Sequence, residues 1–197
     1  MRSTPLPPDE RRRAARARRA ALGPAERAAA ERAVRDHLLA DARFRAASRL
    51  AAYLATGSEL DLAPTLASLA PSQALYLPRL RQGRCRMSFA RHRPGDPLVS
   101  NRHLILQPGA AAPVVSARSL ALILLPLVGF DAQGNRLGSG AGYYDRSLAF
   151  RLGPDAPDAP LLYGIAFDCQ RLPALVPHAW DVPLDAVVTE RGIERWR

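Results

Sequence analysis

Lysine is absent from this sequence of 197 residues, and all 28 of its basic residues are arginines. The absence excludes chemistry that needs a lysine nucleophile or a lysine Schiff base. It also excludes the phosphate-binding loop GxxxxGK(S/T), whose lysine contacts the phosphates. The formal net charge of +10 favours nucleotides, poly-acidic small molecules or nucleic acid as ligands. No known nucleic-acid-binding motif is visible, so we expect no nucleic-acid partner.

Cysteine and long apolar runs are also scarce. The two cysteines, Cys85 and Cys169, lie far apart and neither belongs to a CxxC pattern. We expect reduced thiols in the core of a cytosolic protein, and a disulfide is the less favoured alternative. No apolar run approaches the roughly 18 residues of a membrane span, and the N-terminus lacks the apolar segment of a signal peptide. We therefore expect a cytoplasmic protein without a membrane partner.

The histidines do not form a metal-binding pattern. None of the four has the HExxH spacing or another paired ligand spacing. We expect surface or structural roles for all of them, namely His37, His92, His103 and His178.

The N-terminal part of the chain predicts two helices. Residues 1–8 contain three prolines and are expected to be a flexible tail, whereas residues 9–197 are expected to be a single domain. Alanine and arginine, which favour helices, dominate residues 9–22. Gly23 ends this helix, and Pro24 suits the first turn of a second helix that runs to about residue 39.

Short apolar runs then alternate with turns and helical segments. A helix is predicted at residues 59–69 and another after residue 145, up to about residue 152. Strands alternating with helices indicate an α/β domain around a largely parallel sheet. The strands are predicted at residues 49–55, 74–78, 85–90, 120–125, 161–167 and 185–189.

The glycine-rich segment RLGSGAGYYD, residues 136–145, follows the apolar strand at residues 120–125. Its three glycines stand at alternate positions and leave a strip of backbone whose N–H groups can approach an anion closely. Arg136 adds a fixed positive charge, and the carboxylate of Asp145 suits Mg²⁺. Because ligands bind at the carboxyl edge of open parallel sheets, the segment predicts a phosphate site there.

A plain glycine-rich turn between a strand and a helix is the alternative that residue types alone leave open. The spacing differs from the dinucleotide-binding pattern GxGxxG, since each glycine is two residues from the next. The flanking arginine, tyrosine pair and aspartate favour a ligand site over a plain turn.

The same segment resembles the signature of the 5-formyltetrahydrofolate cyclo-ligases, also called 5,10-methenyltetrahydrofolate synthetases. Their pattern reads approximately PxxxFDxxGxRLGxGxG(Y/F)YD. The matching residues are Pro126, Phe130, Asp131, Gly134, Arg136, Leu137, Gly138, Gly140, Gly142, Tyr143, Tyr144 and Asp145. A similar C-terminal tail extends the resemblance over about residues 10–190, and its matching residues are Gln170, Asp181, Val182, Pro183, Leu184, Val188 and Thr189.

The resemblance implies a three-layer α/β fold of the sugar-isomerase and CoA-transferase type. The implied activity is ATP-dependent cyclisation of 5-formyltetrahydrofolate to 5,10-methenyltetrahydrofolate, with release of ADP and phosphate. In that chemistry the γ-phosphate is transferred to the formyl oxygen, N10 attacks the activated carbon and phosphate leaves. Phosphoryl transfer relies on positioning, Mg²⁺ and positive charge, which agrees with the lack of a catalytic triad in this sequence.

The resemblance also implies which residues bind ATP. Arg12 and Arg16, four positions apart on a predicted helix, match two basic residues that reach the nucleotide phosphates. The first is usually lysine in the family, and Arg12 keeps its charge. A solvated helix face is the alternative for this arginine cluster. The predicted catalytic residues are Arg136 and Tyr144, and the predicted nucleotide-binding residues are Arg12, Arg16, Arg136, Leu137, Gly138, Ser139, Gly140, Ala141, Gly142, Tyr143 and Tyr144.

Glu59 matches a substrate-binding glutamate of the family, in the segment ELDL where the family has approximately E(V/I/L)DT. A carboxylate can accept two hydrogen bonds from the aminopyrimidine edge of a folate. An acidic residue that stabilises a helix N-terminus is the alternative. We expect a polyglutamylated folate and a monomeric enzyme. The predicted folate-binding residues are Leu54, Glu59, Ser139, Gly140, Ala141, Gly142 and Tyr143.

Asp145 and Asp181 are the predicted Mg²⁺ ligands. Asp181 lies just before the last predicted strand, and loops at strand ends gather at one edge of a parallel sheet. Mg²⁺ usually takes one or two carboxylates together with phosphate oxygens and waters. The alternative is that Asp145 caps the following helix and Asp181 pairs with a nearby arginine.

Two other functions are compatible with the sequence. Another enzyme of the same fold, such as a sugar-phosphate isomerase or an acyl-CoA thioester hydrolase, would not consume ATP. A nucleic-acid-binding module would depend on the net charge of +10 and would retain DNA or RNA in a salt-dependent manner.

Overall fold

A computed structural model describes residues 7–81, 83 and 85–196 of the chain. Within these ranges the α-helices are α1 (Pro8–Ala20), α2 (Pro24–Ala40), α3 (Ala42–Ala46), α4 (Ala63–Leu66) and α5 (Tyr143–Leu148). The strands are β1 (Arg49–Ala51), β2 (Ala74–Leu80), β3 (Met87–Arg91), β4 (Leu98–Ser100), β5 (Leu106–Pro108), β6 (Val114–Val115), β7 (Leu122–Pro126), β8 (Gly129–Phe130), β9 (Arg136–Leu137), β10 (Leu161–Ile165), β11 (Ala186–Thr189) and β12 (Gly192–Arg195).

An eight-stranded sheet carries the fold, with the strand order β12-β11-β10-β7-β1-β2-β3-β6. The central strands β11, β10, β7, β1 and β2 are parallel to one another. The outer strands β12, β3 and β6 each pair antiparallel with a neighbour. The prediction of an α/β domain around a largely parallel sheet is confirmed.

Side chains along the central strands alternate between two buried faces of the sheet. In β7, Leu122 and Leu124 pack into one hydrophobic cluster, while Ile123 and Leu125 pack into the other. Leu50 of β1 stands opposite Leu122 and continues the first cluster across the sheet. Because both faces are buried, β7 reads as an unbroken apolar run rather than as an alternating pattern.

Helices cover both faces of the sheet and produce three layers. Val34 and Leu38 of α2 and Phe44 of α3 are fully buried in the first cluster. Leu148 of α5 is buried in the second, with Phe150 packed beside it. The predicted helical layers are therefore present, and the likeness to sugar isomerases and CoA-transferases stays a prediction.

The first helix begins one residue earlier than predicted. Pro8 occupies its first turn, where a proline loses no hydrogen bond because the N–H of that position has no partner within the helix. Pro8 therefore does not belong to the predicted tail, and residues 1–6 of that tail lie outside the described residues.

The helix predicted from Glu59 starts later, as α4. Asp61 Oδ1 accepts a hydrogen bond from the backbone N–H of Ala63 at 2.9 Å, and Pro64 occupies the first turn. The acidic residues thus precede the helix instead of forming its first turn. Glu59 is not a helix N-terminal acid, so that alternative for its role is excluded.

The two cysteines differ from the prediction of core thiols. Cys85 lies before β3 and is exposed, so the prediction is wrong for this residue, because β3 begins only at Met87. Cys169 is half-buried, and burial raises the pKa of its thiol, which lowers its reactivity at neutral pH. Both thiols are free.

Among the described residues, no helix combines the length and the apolar character that a membrane crossing needs.

Candidate active site

A cavity of about 970 Å³ opens at the carboxyl edge of the parallel strands. The chain passes from β1 to β2 on one side of β1, and from β7 to β10 on the other. Such a reversal of direction leaves a crevice beyond the strand ends, where ligands bind in open α/β sheets. Tyr53 and Leu54 follow β1, Leu127 and Val128 follow β7, and all four line the cavity.

The glycine segment forms one wall of this cavity. The short strands β8 and β9 pair as a hairpin that places Phe130 opposite Arg136. From there the chain runs along the cavity into α5, and every residue from 135 to 146 lines it. The segment thus lies at the carboxyl edge of the sheet, as predicted.

Two of the three alternating glycines are required by the backbone conformation. Gly140 has φ +103° and Gly142 has φ +64°, values that side chains disfavour. A Cβ at Gly142 would come 2.7 Å from Nη1 of Arg146. Gly138 has an ordinary φ, and a Cβ there would meet no atom within 4 Å. The fold alone therefore does not account for a glycine at position 138.

Helix α1 packs against the glycine segment through Arg12. Its Nε donates to the carbonyl oxygen of Gly138 at 2.9 Å, and its Nη1 donates to Asp9 Oδ1 at 2.6 Å. Arg16 is exposed and does not line the cavity. Arg18, later in α1, also does not line the cavity and donates to the carbonyl oxygen of Cys169 at 2.8 Å. The predicted pair is therefore not brought together at the cavity.

Arg136 and Asp145 form an ion pair at the base of the segment. The Arg136 side chain is only 5% exposed, and its Nη2 donates to Asp145 Oδ1. The same oxygen accepts the backbone N–H of Val182 at 3.2 Å, and Arg136 Nε donates to the carbonyl oxygen of Val182 at 3.3 Å. Asp181 precedes Val182 and so lies beside this pair. Its Oδ2 accepts the backbone N–H of His178 at 2.8 Å.

The two predicted metal ligands both line the cavity, but the described residues do not form a complete metal site. Among the described residues, no group of three or more His, Cys, Asp or Glu side chains is placed to hold a metal ion. Asp145 Oδ2 and Asp181 Oδ1 accept no hydrogen bond from any described residue. Because Mg²⁺ usually completes its coordination with phosphate oxygens and waters, these two oxygens fit a nucleotide-bound Mg²⁺.

Glu59 lies on another wall of the cavity, in a tight turn. Its Oε2 accepts hydrogen bonds from Thr56 N at 3.0 Å and from Thr56 Oγ1 at 3.1 Å. Leu54, Thr56 and Glu59 all line the cavity. The side chain is half-buried, so its second oxygen can accept an N–H donor from a ligand.

Two tyrosines of the cavity keep their protons at neutral pH. Burial raises the pKa of Tyr144 well above its ordinary value, and the negative charge of Glu59 raises it further. Burial and Glu59 also raise the pKa of Tyr53, whose hydroxyl donates to the carbonyl oxygen of Leu60 at 2.7 Å. Tyr144 can therefore donate a hydrogen bond to a ligand, but it cannot act as a base.

The charged residues of the cavity are mostly arginines. Among the described residues, five arginines line it, against three carboxylates, and the excess favours an anionic ligand. The arginines are Arg11, Arg12, Arg86, Arg136 and Arg146, and the carboxylates are Glu59, Asp145 and Asp181.

Several lining residues come from segments in which the sequence shows no motif. Tyr143 Oη accepts a hydrogen bond from Arg102 Nη2 at 2.7 Å, which ties the loop between β4 and β5 to the glycine segment. The His178 ring stacks on Trp180 with centroids 4.7 Å apart, so this histidine belongs to the cavity wall. Apolar character was the only sequence signal for the others, which include Leu77, Leu80, Met87, Ile105, Leu106 and Val176.

Asp131 joins two walls of the cavity. It is fully buried, and its oxygens accept hydrogen bonds from Gln133 N, Asn135 N, Asn135 Nδ2 and Leu175 N at 2.8–3.0 Å. Burial raises the pKa of this carboxyl, but the hydrogen bonds together outweigh it, so that its pKa lies below the ordinary value. The bond to Leu175 fixes the loop at residues 175–181 against the β8–β9 hairpin.

These features define an α/β protein with an arginine-lined cavity at the switch point of a parallel sheet. Comparison with known families is more specific, because the model of the 5-formyltetrahydrofolate cyclo-ligase family matches residues 8–190. The chain belongs to this family of ligases, as its sequence predicted.

Curated relatives and solved structures agree with this assignment. The chain is 34% identical to the 5-formyltetrahydrofolate cyclo-ligase of Escherichia coli K12 over 157 residues, which cover 76% of this chain and 82% of the relative. It is 33% identical to the enzyme of that name from Haemophilus influenzae over 158 residues, or 79% of this chain and 82% of the relative. The NMR structure of Aquifex aeolicus 5,10-methenyltetrahydrofolate synthetase superposes with a TM-score of 0.81 at 29% identity, covering 98% of this chain and 94% of that one.

Asp131→Asn should lower the free energy of unfolding near neutral pH by about 1–3 kcal/mol, because a buried carboxylate loses its charge-assisted hydrogen bonds. The pKa is depressed in the folded state, so the carboxylate contributes fully above its unfolded pKa of about 4 and loses this contribution as the pH falls through the folded pKa. Urea unfolding at about pH 7 and about pH 3 should show a smaller parent–variant difference in acid. Equal differences at both pH values would contradict the role of the charge.

Gly140→Ala should lower the free energy of unfolding by about 1–3 kcal/mol, because it forces a side chain into a positive-φ conformation. Gly138→Ala is the matched control two residues away, and it should change the free energy by no more than about 0.5 kcal/mol. Urea unfolding of both variants measures the two effects. Equal destabilisation would contradict the requirement for glycine at position 140.

Proposed function

We propose that this chain catalyses the ATP-dependent cyclisation of 5-formyltetrahydrofolate to 5,10-methenyltetrahydrofolate, with release of ADP and phosphate. The product gains a carbon–nitrogen bond, which is the chemistry of a ligase. The observation that carries the proposal is the cavity at the switch point, where the family's signature segment and Glu59 face the same space. The relatives named 5-formyltetrahydrofolate cyclo-ligases support it.

ATP is proposed to bind along the glycine segment. Between Gly138 and Gly142 every second residue lacks a side chain, so phosphate oxygens can approach the backbone N–H groups. Arg12 lies over this strip, since its Cζ would stand 3.7 Å from a Cβ at Gly140. The excess of arginines in the cavity supplies the positive potential that a triphosphate requires. Arg16 has no part in this proposal, because it does not line the cavity.

The folate head group is proposed to bind beside Glu59. The carboxylate would accept hydrogen bonds from the aminopyrimidine edge, and charge-assisted bonds of this kind are among the stronger ones. Leu54, Leu80, Met87 and Ile105 provide apolar surface in the same cavity. A few placed polar groups on a mostly apolar wall are typical of sites for small organic ligands.

In the proposed reaction the formyl oxygen attacks the γ-phosphorus of ATP and ADP departs. N10 then attacks the formyl carbon and loses its proton, and the bond between that carbon and the phosphorylated oxygen breaks to release phosphate. The chain contributes positioning and charge. Arg136 is held by Asp145 and by the carbonyl oxygen of Val182, so its orientation at the phosphates is set before the ligand binds. Tyr144 keeps its proton and can donate a hydrogen bond to a reacting oxygen.

Mg²⁺ is proposed to accompany the nucleotide. Asp145 and Asp181 would hold it, through the carboxylate oxygens that accept no hydrogen bond from the described residues. A bound Mg²⁺ supplies charge that neutralises the phosphates. Use of a polyglutamylated folate, a monomeric state and a cytoplasmic location stay predictions.

The purified protein should convert 5-formyltetrahydrofolate only when both ATP and Mg²⁺ are present. The physical reason is that the formyl oxygen is a poor leaving group until it is phosphorylated. Absorbance of the methenyl product, followed with and without each component, measures this dependence. An isomerase or thioester hydrolase of the same fold would be indifferent to ATP, and turnover of the folate without ATP would refute the proposed function.

Glu59→Ala should weaken folate binding by about ten- to a hundred-fold, or about 1.5–3 kcal/mol, because donors of the bound head group lose their acceptor. The Michaelis constant (KM) for ATP should stay within about two-fold of the parent value. Asp61→Ala is the matched control, because Asp61 is an exposed acid of the same segment that does not line the cavity. Steady-state kinetics with each substrate varied distinguishes the variants, and an unchanged folate KM in Glu59→Ala would remove Glu59 from the site.

Asp145→Asn and Asp181→Asn should each lower turnover and raise the Mg²⁺ concentration needed for half-maximal rate, because each removes a charged oxygen ligand. The measurement is rate against Mg²⁺ at saturating ATP. Asp168→Asn is the control, since it loses ion pairs with Arg171 and Arg191 away from the cavity. If both cavity variants follow the Mg²⁺ curve of the parent, the metal assignment is wrong.

A further inference from the structure

Two arginines outside the cavity hold the turn that carries Glu59. Arg19 belongs to α1 and Arg27 to α2, and neither lines the cavity. Both donate hydrogen bonds to the turn just before or at Glu59, although they are 31–39 residues away in the sequence. The sequence does not predict these contacts, because the acceptors include main-chain carbonyl groups that leave no signature in side-chain spacing.

Arg27 binds the main chain of the turn through one nitrogen. Its Nη2 donates to the carbonyl oxygens of Ser58 at 2.8 Å and Glu59 at 2.9 Å, while its Nη1 donates to the carbonyl oxygen of Arg19 at 3.1 Å. The guanidinium also lies over the ring of Phe167, 4.9 Å from its centroid. Phe167 is 1% exposed and follows β10, so Arg27 connects the turn to a rigid part of the sheet.

Arg19 supports the same turn from α1. The residue is buried, its Nε donates to Ser58 Oγ at 3.0 Å, and its Nη1 contacts the carbonyl oxygen of Leu127 at 3.5 Å. Burial lowers the pKa of Arg19, and the negative charge of Glu59 opposes this effect. No carboxylate of the described chain forms an ion pair with Arg19, so its charge is balanced mainly by the turn that carries Glu59.

Among the described residues, the carboxylate of Glu59 accepts no hydrogen bond from outside its own turn. Both hydrogen bonds that it accepts come from Thr56, three residues earlier. The side chain therefore moves with the turn, and the position of the turn decides where the carboxylate stands in the cavity. Contacts that fix the turn from outside the cavity therefore affect ligand binding through the position of Glu59.

We infer that Arg27, supported by Arg19, is a positioning residue that sets the Glu59 carboxylate for the folate head group and thereby determines folate affinity. The inference rests on the proposed function, which assigns Glu59 to folate binding. Arginine suits the task because its planar fork can bind several carbonyl oxygens and stack on an aromatic ring at once. A lysine at this position would keep the charge but would lose this combined geometry.

Arg27→Met tests the inference through the two Michaelis constants. The KM for 5-formyltetrahydrofolate should rise about ten-fold, while the KM for ATP and kcat should stay within about two-fold, because a displaced carboxylate weakens one binding contact only. Arg27→Lys should give a smaller rise of about three-fold. Arg18→Met is the matched control, since Arg18 donates to the carbonyl oxygen of Cys169 and does not touch the turn. Equal changes in both Michaelis constants would overturn the inference.

A double-mutant cycle separates positioning from a general loss of structure. In the Glu59→Ala background, Arg27→Met should raise the folate KM by less than about two-fold, because the group that Arg27 positions is gone. If the fold-changes in folate KM of the two single variants multiply in the double variant, the inference is overturned. If the folate KM is unchanged in Arg27→Met but raised in Glu59→Ala, only this inference is overturned. If the folate KM is unchanged in Glu59→Ala, the proposed role of Glu59 is overturned as well. If Arg27→Met does not fold, Arg27→Lys carries the same cycle.

Discussion

Parallel strands cannot be joined by a tight turn, and this constraint shapes the whole molecule. Each connection between neighbouring parallel strands must cross a face of the sheet before it returns. The crossings bury both faces, and they bring the loops that leave β1, β2 and β7 to one edge. The direction of winding changes between β1 and β7, so the backbone itself leaves a crevice there. The chemistry of the site depends on side chains, but the topology determines its place.

The parts of this arrangement that depend on local patterns could be predicted. The unbroken apolar run of β7 predicted a buried parallel strand, and the glycine segment that follows it predicted a loop at the carboxyl edge, where the segment lines the cavity. Arg136 and Asp145 belong to a long and specific motif, so family membership followed from their segment. Each of these features depends on residues that are close together in the sequence, so a local pattern is enough to predict it.

The parts that depend on distant contacts could not be predicted. Arg12 and Arg16 share a spacing that places them on one helix face, yet the packing of α1 leaves only Arg12 at the cavity. The helix expected at Glu59 starts later, at Ala63, whose backbone N–H donates to Asp61 Oδ1. The role of Arg27 has no sequence signal, because it binds main-chain carbonyl oxygens of the Glu59 turn, which any residue type could supply. Strand β12 has no apolar run to predict it, since half of its residues are exposed and polar, as an antiparallel edge allows.

The hydrogen bond from Arg12 to Gly138 has a thermodynamic consequence for the first helix. Pro8, Arg11 and Arg12 belong to the cavity wall, so a ligand that fills the cavity binds the docked form of α1 and not a detached one. By mass action, a ligand at a hundred times its dissociation constant would add about 2.7 kcal/mol to the docking of that helix. Resistance of residues 8–20 to proteases would then rise with occupancy, and the N-terminal helix would report on whether the cavity at the carboxyl edge of the sheet is filled.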